Sequence, residues 1–173
     1  MKKNEEYIVT CIDDTDLNSG VVKIDDMVVF VPNLLIGEKA KIKIVKVNKK
    51  YAFGIITQLL EPSINRQELT CEVAKTCGGC QLQHMKYAYQ LDYKYKHVKK
   101  LFEDIEVKPI LGMDSPWYYR NKAQFPVKIK DGKVQMGFYR QHSNDVVTCK
   151  ECKIQDFTIR SEEHTSELQS RQV

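Results

Sequence analysis

The sequence predicts a mainly β chain with one or two helices (α+β). A five-stranded OB-like barrel comes first, and a small β-sheet domain built around a cysteine loop follows. Three observations carry this prediction. Short alternating apolar runs separated by turn residues fill residues 7–60, three cysteines crowd residues 71–80, and a two-strand pattern folds back about Asp131-Gly132. Short strands at this density are the pattern of a closed or nearly closed barrel.

Tyr7–Ile12 is the first expected strand, followed by a polar turn through Asp13–Gly20. Val21–Ile24 and Met27–Val31 flank Asp25-Asp26, a tight turn, and Pro32 ends the second of them. The run from Lys39 to Ile44 alternates strictly, so Lys39, Lys41 and Lys43 share one face while Ala40, Ile42 and Ile44 share the other. The lysine comb is expected to face out. Ala52–Leu60 supplies the last strand, ended by Glu61-Pro62-Ser63.

Glu61 to Thr70 reads as a linker into the cysteine loop, Cys71 to Gln83. Beyond it, Tyr87, Leu91, Tyr95, Val98, Leu101, Phe102 and Ile105 recur at steps of three and four. That spacing predicts an amphipathic helix with Lys94, Lys96, Lys99 and Lys100 largely off its apolar stripe. In the hairpin, folding about Asp131-Gly132 sets Ile129 against Val134, Val127 against Met136 and Phe125 against Phe138. The inner face is then apolar, and the outer face carries Lys122, Gln124, Lys128, Lys130, Lys133, Gln135 and Tyr139. Cations with an aromatic on one sheet face suit RNA, or simply solvent.

No apolar run approaches the roughly 18 residues of a membrane span, and MKKNEEYIVT lacks the apolar core of a signal peptide. These features read as a soluble cytoplasmic monomer with no membrane partner. The net charge of +4 is concentrated in lysines at Lys39–Lys50, Lys94–Lys100 and Lys122–Lys133, which favours a polyanion partner. Residues 160–173 change character abruptly: apolar residues are scarce and unperiodic. They read as the translation of a sequencing-library adapter, a non-native disordered tail on a sequence that breaks off near Ile159.

Of the six cysteines, Cys71, Cys77 and Cys80 fall within ten residues, and Cys77-Gly-Gly-Cys80 forms an elbow that lets two sulfurs face one centre. Three close thiolates with one distant one make a tetrahedral thiolate site, for zinc or for an iron–sulfur cluster. Cys149 and Cys152 compete for the fourth place, and spacing alone does not choose between them. A redox dithiol at Cys77–Cys80 is the competing reading.

Together these residues resemble the front of the ribosomal and transfer-RNA uracil-5 methyltransferases. Gly20-Val-Val-Lys23, Val29-Phe-Val-Pro32 and Ile36-Gly-Glu-Lys39 resemble the family's TRAM barrel. The run Cys77-Gly-Gly-Cys80-Gln-Leu-Gln-His84, with Cys71 before it and Tyr87, Gln90 and Lys94 after it, resembles its cluster loop and following helix. Tyr119-Arg-Asn-Lys-Ala-Gln-Phe-Pro126, Gly137-Phe-Tyr-Arg140 and Cys152-Lys-Ile-Gln155 resemble its central domain.

The resemblance covers about residues 7–157 and implies a division at residue 62: a TRAM RNA-binding barrel over 1–62, and a cluster loop, helix and central β domain over 63–159. It implies a 4Fe-4S cluster on Cys71, Cys77, Cys80 and Cys152, with Cys149 a bystander and zinc the alternative. The implied activity is S-adenosylmethionine-dependent methylation of uracil C5 in 23S ribosomal RNA. There a cysteine thiolate adds to C6 of the flipped-out base, and a base later removes the C5 proton. The nucleophile, base and S-adenosylmethionine pocket belong to a C-terminal Rossmann-like domain that is absent here. No residue of this chain is therefore assigned to catalysis, and the chain alone is expected to be inactive. The expected RNA contacts are Lys41 and Lys43, on phosphates, and Arg120, Lys122, Gln124 and Arg140, around the target loop. Two alternatives stay open: a stand-alone zinc- or cluster-stabilised RNA-binding module, and a transfer-RNA uracil-5 methyltransferase fragment. A TRAM-bearing radical enzyme is disfavoured, because such enzymes use a C-x3-C-x2-C loop.

Overall fold

A computed structural model describes residues 1–159, so the expected adapter-derived tail at 160–173 lies outside the described residues. The chain forms two compact units that interleave in sequence. Met1–Glu68 and His84–Pro109 make the first; Leu69–Gln83 and the chain from Ile110 make the second. The grouping does not follow the division at residue 62, because the helix falls in the first unit.

In the first unit the expected strands form as β1 (Glu6–Thr10), β3 (Ser19–Ile24), β4 (Met27–Pro32), β5 (Lys39–Val47) and β6 (Tyr51–Glu61). A short β2 (Asp13–Asp14), which the sequence pattern did not reveal, joins them. The sheet order is β1-β5-β6-β4-β3-β2. It curls until its edges meet at one stretch of chain. Cys11 N–H donates to Glu38 O across from β5, and Ile12 N–H donates to Val21 O across from β3. Register shifts between β5 and β6 tighten the curl, since each bulge adds local twist.

The alternation read from β5 holds: Ala40, Ile42 and Ile44 are fully buried, in a core with Val9, Cys11, Val22, Val29, Val31, Leu34 and Ala52. Asp25 takes a positive φ of 53° in the β3–β4 turn, a conformation that short polar side chains tolerate. Gly20 packs inside, where an added Cβ would lie 2.4 Å from Leu34 O and 2.7 Å from Cys11 Sγ.

The helix α1 spans Tyr87–Leu101, but its packed line is not the expected stripe. Tyr93 is its buried residue; Val98, Leu101, Phe102 and Ile105 are exposed. The reason is polar. Tyr93 Oη donates to Thr15 O and accepts from Asn18 N–H, so the barrel's 15–18 turn holds that ring. Tyr89 and His97 flank Tyr93 at steps of four, and His97 Nε2 lies 3.2 Å from Asp14 Oδ1.

The segment preceding α1 is anchored by a buried ion pair. Glu38, wholly buried on the barrel, accepts from Arg66 Nε at 2.5 Å and Nη2 at 2.6 Å, and from the N–H groups of Leu35 and Ser63.

In the second unit β7 (Val127–Lys130) and β8 (Lys133–Met136) pair in the expected register: Val127 with Met136, Ile129 with Val134, Lys130 with Lys133. Asp131 and Gly132 supply the turn at φ 52° and 72°. Two details differ from expectation. Residues 123–126 lie outside the ladder, where Pro126 has no N–H to offer, although the rings of Phe125 and Phe138 still meet at 5.3 Å. The apolar side is also open, with Ile129 77% exposed, because a two-stranded ribbon buries little by itself. Two further strands, β9 (Phe138–Tyr139) and β10 (Val146–Val147), pair with each other. Gly137 precedes β9 where a Cβ would approach Val147 O to 2.1 Å. No Rossmann-like layer of parallel strands and helices occurs among the described residues.

Candidate thiol centre and nucleic-acid face

The second unit is organised around its cysteines. From Cys71 the chain makes a compact turn in which Ala74 N–H donates to Cys71 O and Cys77 N–H donates to Val73 O. Gly78 N–H then donates to Tyr139 O, and Gln141 N–H to Thr76 O, so the loop is strapped to β9. That strap explains the first glycine of the Cys77–Cys80 elbow: a Cβ on Gly78 would sit 3.0 Å from Tyr139 O. Gly79 turns its N–H onto Cys77 Sγ at 3.3 Å, a contact that favours thiolate at that sulfur.

A second strap carries Cys152. Tyr118 N–H donates to Lys153 O, Arg120 N–H to Ile154 O, and Asp156 N–H to Arg120 O. Lys150 N–H reaches the Glu72 carboxylate at 3.0 Å and ties this stretch to the cysteine loop.

The two straps bring Cys71, Cys77, Cys80, Cys149 and Cys152 into the wall of one cavity, with Arg120 and Phe138. None of Cys71, Cys77, Cys80 and Cys152 is in a disulfide. Burial pushes the Cys80 thiol up to about 11, and the neighbouring Cys152, Cys77 and Cys71 push the same way, while Arg120 opposes them. Cys77 is raised for the same leading reason, with the Gly79 N–H pulling against it. All four expected ligands therefore share one electrostatic neighbourhood, and Cys149 borders it too. No group of three or more His, Cys, Asp or Glu side chains among the described residues is disposed to hold a metal ion.

Of the expected RNA contacts, Arg120 lies in the cavity wall rather than on an open face. Lys122, Gln124 and Arg140 are exposed in this unit. On the barrel, Lys41 is engaged with Glu6 at 2.6 Å and Lys39 with Glu61 at 3.0 Å. The Lys41 contact is the first reason the Glu6 carboxyl is held below its ordinary range. Lys43 has no carboxylate within ion-pair distance among the described residues.

The barrel also carries a feature that the sequence reading missed. Phe30, Tyr51 and Phe53 stand on its outer side with ring centroids 5.5 to 5.9 Å apart, two pairs edge-to-face and one tilted. Their sequence neighbours Val29 and Ala52 are buried in the core. Lys46 lies opposite Phe53 in the β5–β6 register, and Lys23 opposite Val28 in β3–β4. The signal was present in Tyr51-Ala-Phe53-Gly54, where aromatic and small residues alternate and only the small ones fit inside.

Comparison with known proteins gives the class first: residues 3–57 match the TRAM domain family. Beyond that domain, the chain is 44% identical over 161 residues to the uncharacterized RNA methyltransferase BH0687 of Halalkalibacterium halodurans, covering 90% of this chain and 35% of that protein. An uncharacterized RNA methyltransferase of Clostridium tetani is 40% identical over 161 residues, again covering 90% of this chain and 35% of that protein. The chain is similar to these RNA methyltransferases over nearly its whole length and spans about a third of the length of the curated relatives it matches. The crystal structure of Pyrococcus abyssi tRNA (uracil-54, C5)-methyltransferase in complex with S-adenosyl-L-homocysteine shares the fold. Its TM-score is 0.61 at 23% identity, over 95% of this chain and 37% of that one.

Proposed function

We propose that this chain is the RNA-gripping, cluster-bearing part of an S-adenosylmethionine-dependent methyltransferase that acts on uracil C5 of 23S ribosomal RNA in the cytoplasm. The barrel is its TRAM RNA-binding element. The cysteine unit and central β region brace the target loop. The observation that carries this reading is the convergence of Cys71, Cys77, Cys80 and Cys152 on one cavity, in a chain whose opening barrel presents aromatic rings among lysines. Relatives named RNA methyltransferases support the activity, and the Pyrococcus abyssi tRNA (uracil-54, C5)-methyltransferase supports the fold of this part.

The thiol-only donor set suits a 4Fe-4S cluster, which the family resemblance implies, with zinc as the alternative. A zinc ion would need four sulfurs drawn to about 2.3 Å from one point. A polynuclear cluster is held by thiolates bound to separate irons, so it needs sulfurs that surround a common space. Cys71, Cys77, Cys80 and Cys152 would hold it, and the Gly79 N–H already points at one of these sulfurs. Bound there, the cluster would cross-link two distant stretches of chain.

RNA binding is assigned to Lys41, Lys43, Lys122, Gln124 and Arg140, with bases stacking on Phe30, Tyr51 and Phe53. Lysines displace counterions from phosphates, and aromatic faces accept any base. The Lys41–Glu6 pair does not bar this role, because a surface ion pair is worth little and exchanges readily for phosphate.

Anaerobic purification with iron, sulfide and zinc analysis tests the site: a brown protein with near-equal iron and sulfide is expected. Binding to 23S ribosomal RNA fragments and to transfer RNA, titrated with salt, tests the partner. Tighter binding to transfer RNA would redirect the substrate assignment, and zinc in a colourless protein would replace the cluster.

A further inference from the structure

We propose that Arg120 is the counter-cation of the cluster site, a positioning residue that balances the site's charge, and not a contact to RNA. The inference rests on the cluster reading given above. Arg120 lies in the cavity wall with Cys71, Cys77, Cys80, Cys149 and Cys152. Its guanidinium carbon stands 5.9 Å from the centre of the Phe138 ring, another member of that wall. Its main chain is fixed on both sides, donating to Ile154 O at 2.8 Å and accepting from Asp156 N–H at 3.0 Å, two to four residues beyond Cys152. The side chain is therefore held by the strap that delivers the fourth sulfur.

No carboxylate pairs with Arg120 among the described residues. A half-buried guanidinium without a carboxylate is placed to balance an anion brought into the cavity it lines. With a cluster bound the cavity would supply that anion, because four thiolates outweigh the positive charge of an oxidised iron–sulfur core. A fixed cation in a partly dry wall interacts with that charge more strongly than a surface cation does. Reduction of a bound cluster would make the site more negative, so a cation at Arg120 would raise its potential. The same cation would help hold the negative charge of a bound cluster in place, so its loss would leave the cluster less firmly held.

The test uses the full chain purified without oxygen, as wild type, Arg120→Gln, Arg120→Lys and Lys122→Ala. Midpoint potential is followed by the visible absorbance of the cluster, together with the rate of bleaching in air and the salt dependence of RNA binding. Arg120→Gln is expected to shift the potential negative and to bleach several-fold faster, while Arg120→Lys stays near wild type. Its salt slope is expected to match wild type, whereas Lys122→Ala lowers the slope by about one. An unshifted potential with wild-type bleaching in Arg120→Gln overturns the proposal, as does a salt slope lowered by about one. Where Arg120→Gln holds no iron, reconstitution of Arg120→Lys against Arg120→Met decides: iron retained by the lysine variant alone supports the counter-cation, and equal loss in both refutes it. A wild-type protein holding zinc in place of iron and sulfide removes the cluster reading and this inference together. A brown wild type with an unresponsive Arg120→Gln removes this inference alone.

Discussion

Replacing Arg66 by alanine is expected to unfold the barrel unit more readily than any surface change. Glu38 is fully buried, and Arg66 supplies two of its four hydrogen bonds, the others coming from Leu35 and Ser63 N–H. Arg66 Nη2 also donates to Asn33 O at 2.6 Å, so one guanidinium joins two parts of the barrel. Burial by itself pushes the Glu38 pKa up, but the Arg66 hydrogen bond, the two N–H donors and the Arg66 charge outweigh it and leave the carboxyl below its ordinary range. Removing one partner of such a buried pair strands the other, at a cost of about 3–5 kcal/mol. For a chain of this size that lowers Tm by roughly 6–20 °C. The sign with pH follows: a carboxyl whose folded pKa is depressed adds stability above its unfolded pKa and loses it as pH falls through the folded one. Urea unfolding followed by circular dichroism measures both, and Arg66→Ala should have a flatter acid limb than wild type. A loss under about 1 kcal/mol would mean that the pair is as weak as a solvated surface bridge, and the anchoring argument would fail. The double variant Glu38→Gln/Arg66→Met should recover part of the loss, because no charge is left stranded and the amide oxygen can still accept from backbone N–H.

The remaining predictions concern both units. Cys152→Ser should abolish iron binding while Cys149→Ser leaves most of it, read by iron content and visible absorbance; equal retention in both would remove Cys152 from the ligand set. Gly137→Ala forces a Cβ toward Val147 O, so it should destabilise the second unit by more than the usual cost of about 1 kcal/mol for a point change, seen as faster amide exchange near β9. Tyr51→Ala and Phe53→Ala should each weaken binding to single-stranded RNA by about 1–3 kcal/mol, with the salt slope unchanged; Lys43→Ala should lower that slope by about one. His84 is buried, and burial pushes its pKa down to about 4, so folding holds it neutral. Its contribution is lost as pH falls from its unfolded value near 6.5 toward 4, on the order of 3 kcal/mol, and His84→Gln should remove that part of the acid sensitivity in urea titrations across this range.

Arrangements set by local chemistry were legible in the sequence. The β7–β8 register follows from a two-residue turn and a period of two, since a one-residue slip would exchange the faces. The β5 comb follows from strict alternation in the same way: Ala40, Ile42 and Ile44 go in because Lys39, Lys41 and Lys43 cannot. The cysteine elbow announced itself through two glycines, and the structure explains the first by the backbone of β9 lying against it.

Other choices turned on partners far away in the chain. Tyrosines at 87, 89, 93 and 95 make two overlapping stripes on α1, and periodicity favoured the one containing Leu91 and Val98. The line through Tyr93 won because Thr15 O and Asn18 N–H, remote in sequence, satisfy its hydroxyl in a place water does not reach. Arg120 read as one more basic residue beside Lys122, yet pairing with residues 154 and 156 turns it into the wall of the thiol cavity. By itself the sequence determined which residues alternate, where the chain turns and which thiols are close neighbours along it. Only the tertiary structure decided which aromatic stripe is buried, that Arg120 lines the cysteine cavity, and that Cys149 and Cys152 line it with Cys71, Cys77 and Cys80. Those outcomes depend on charges and hydrogen bonds between segments that no local period records.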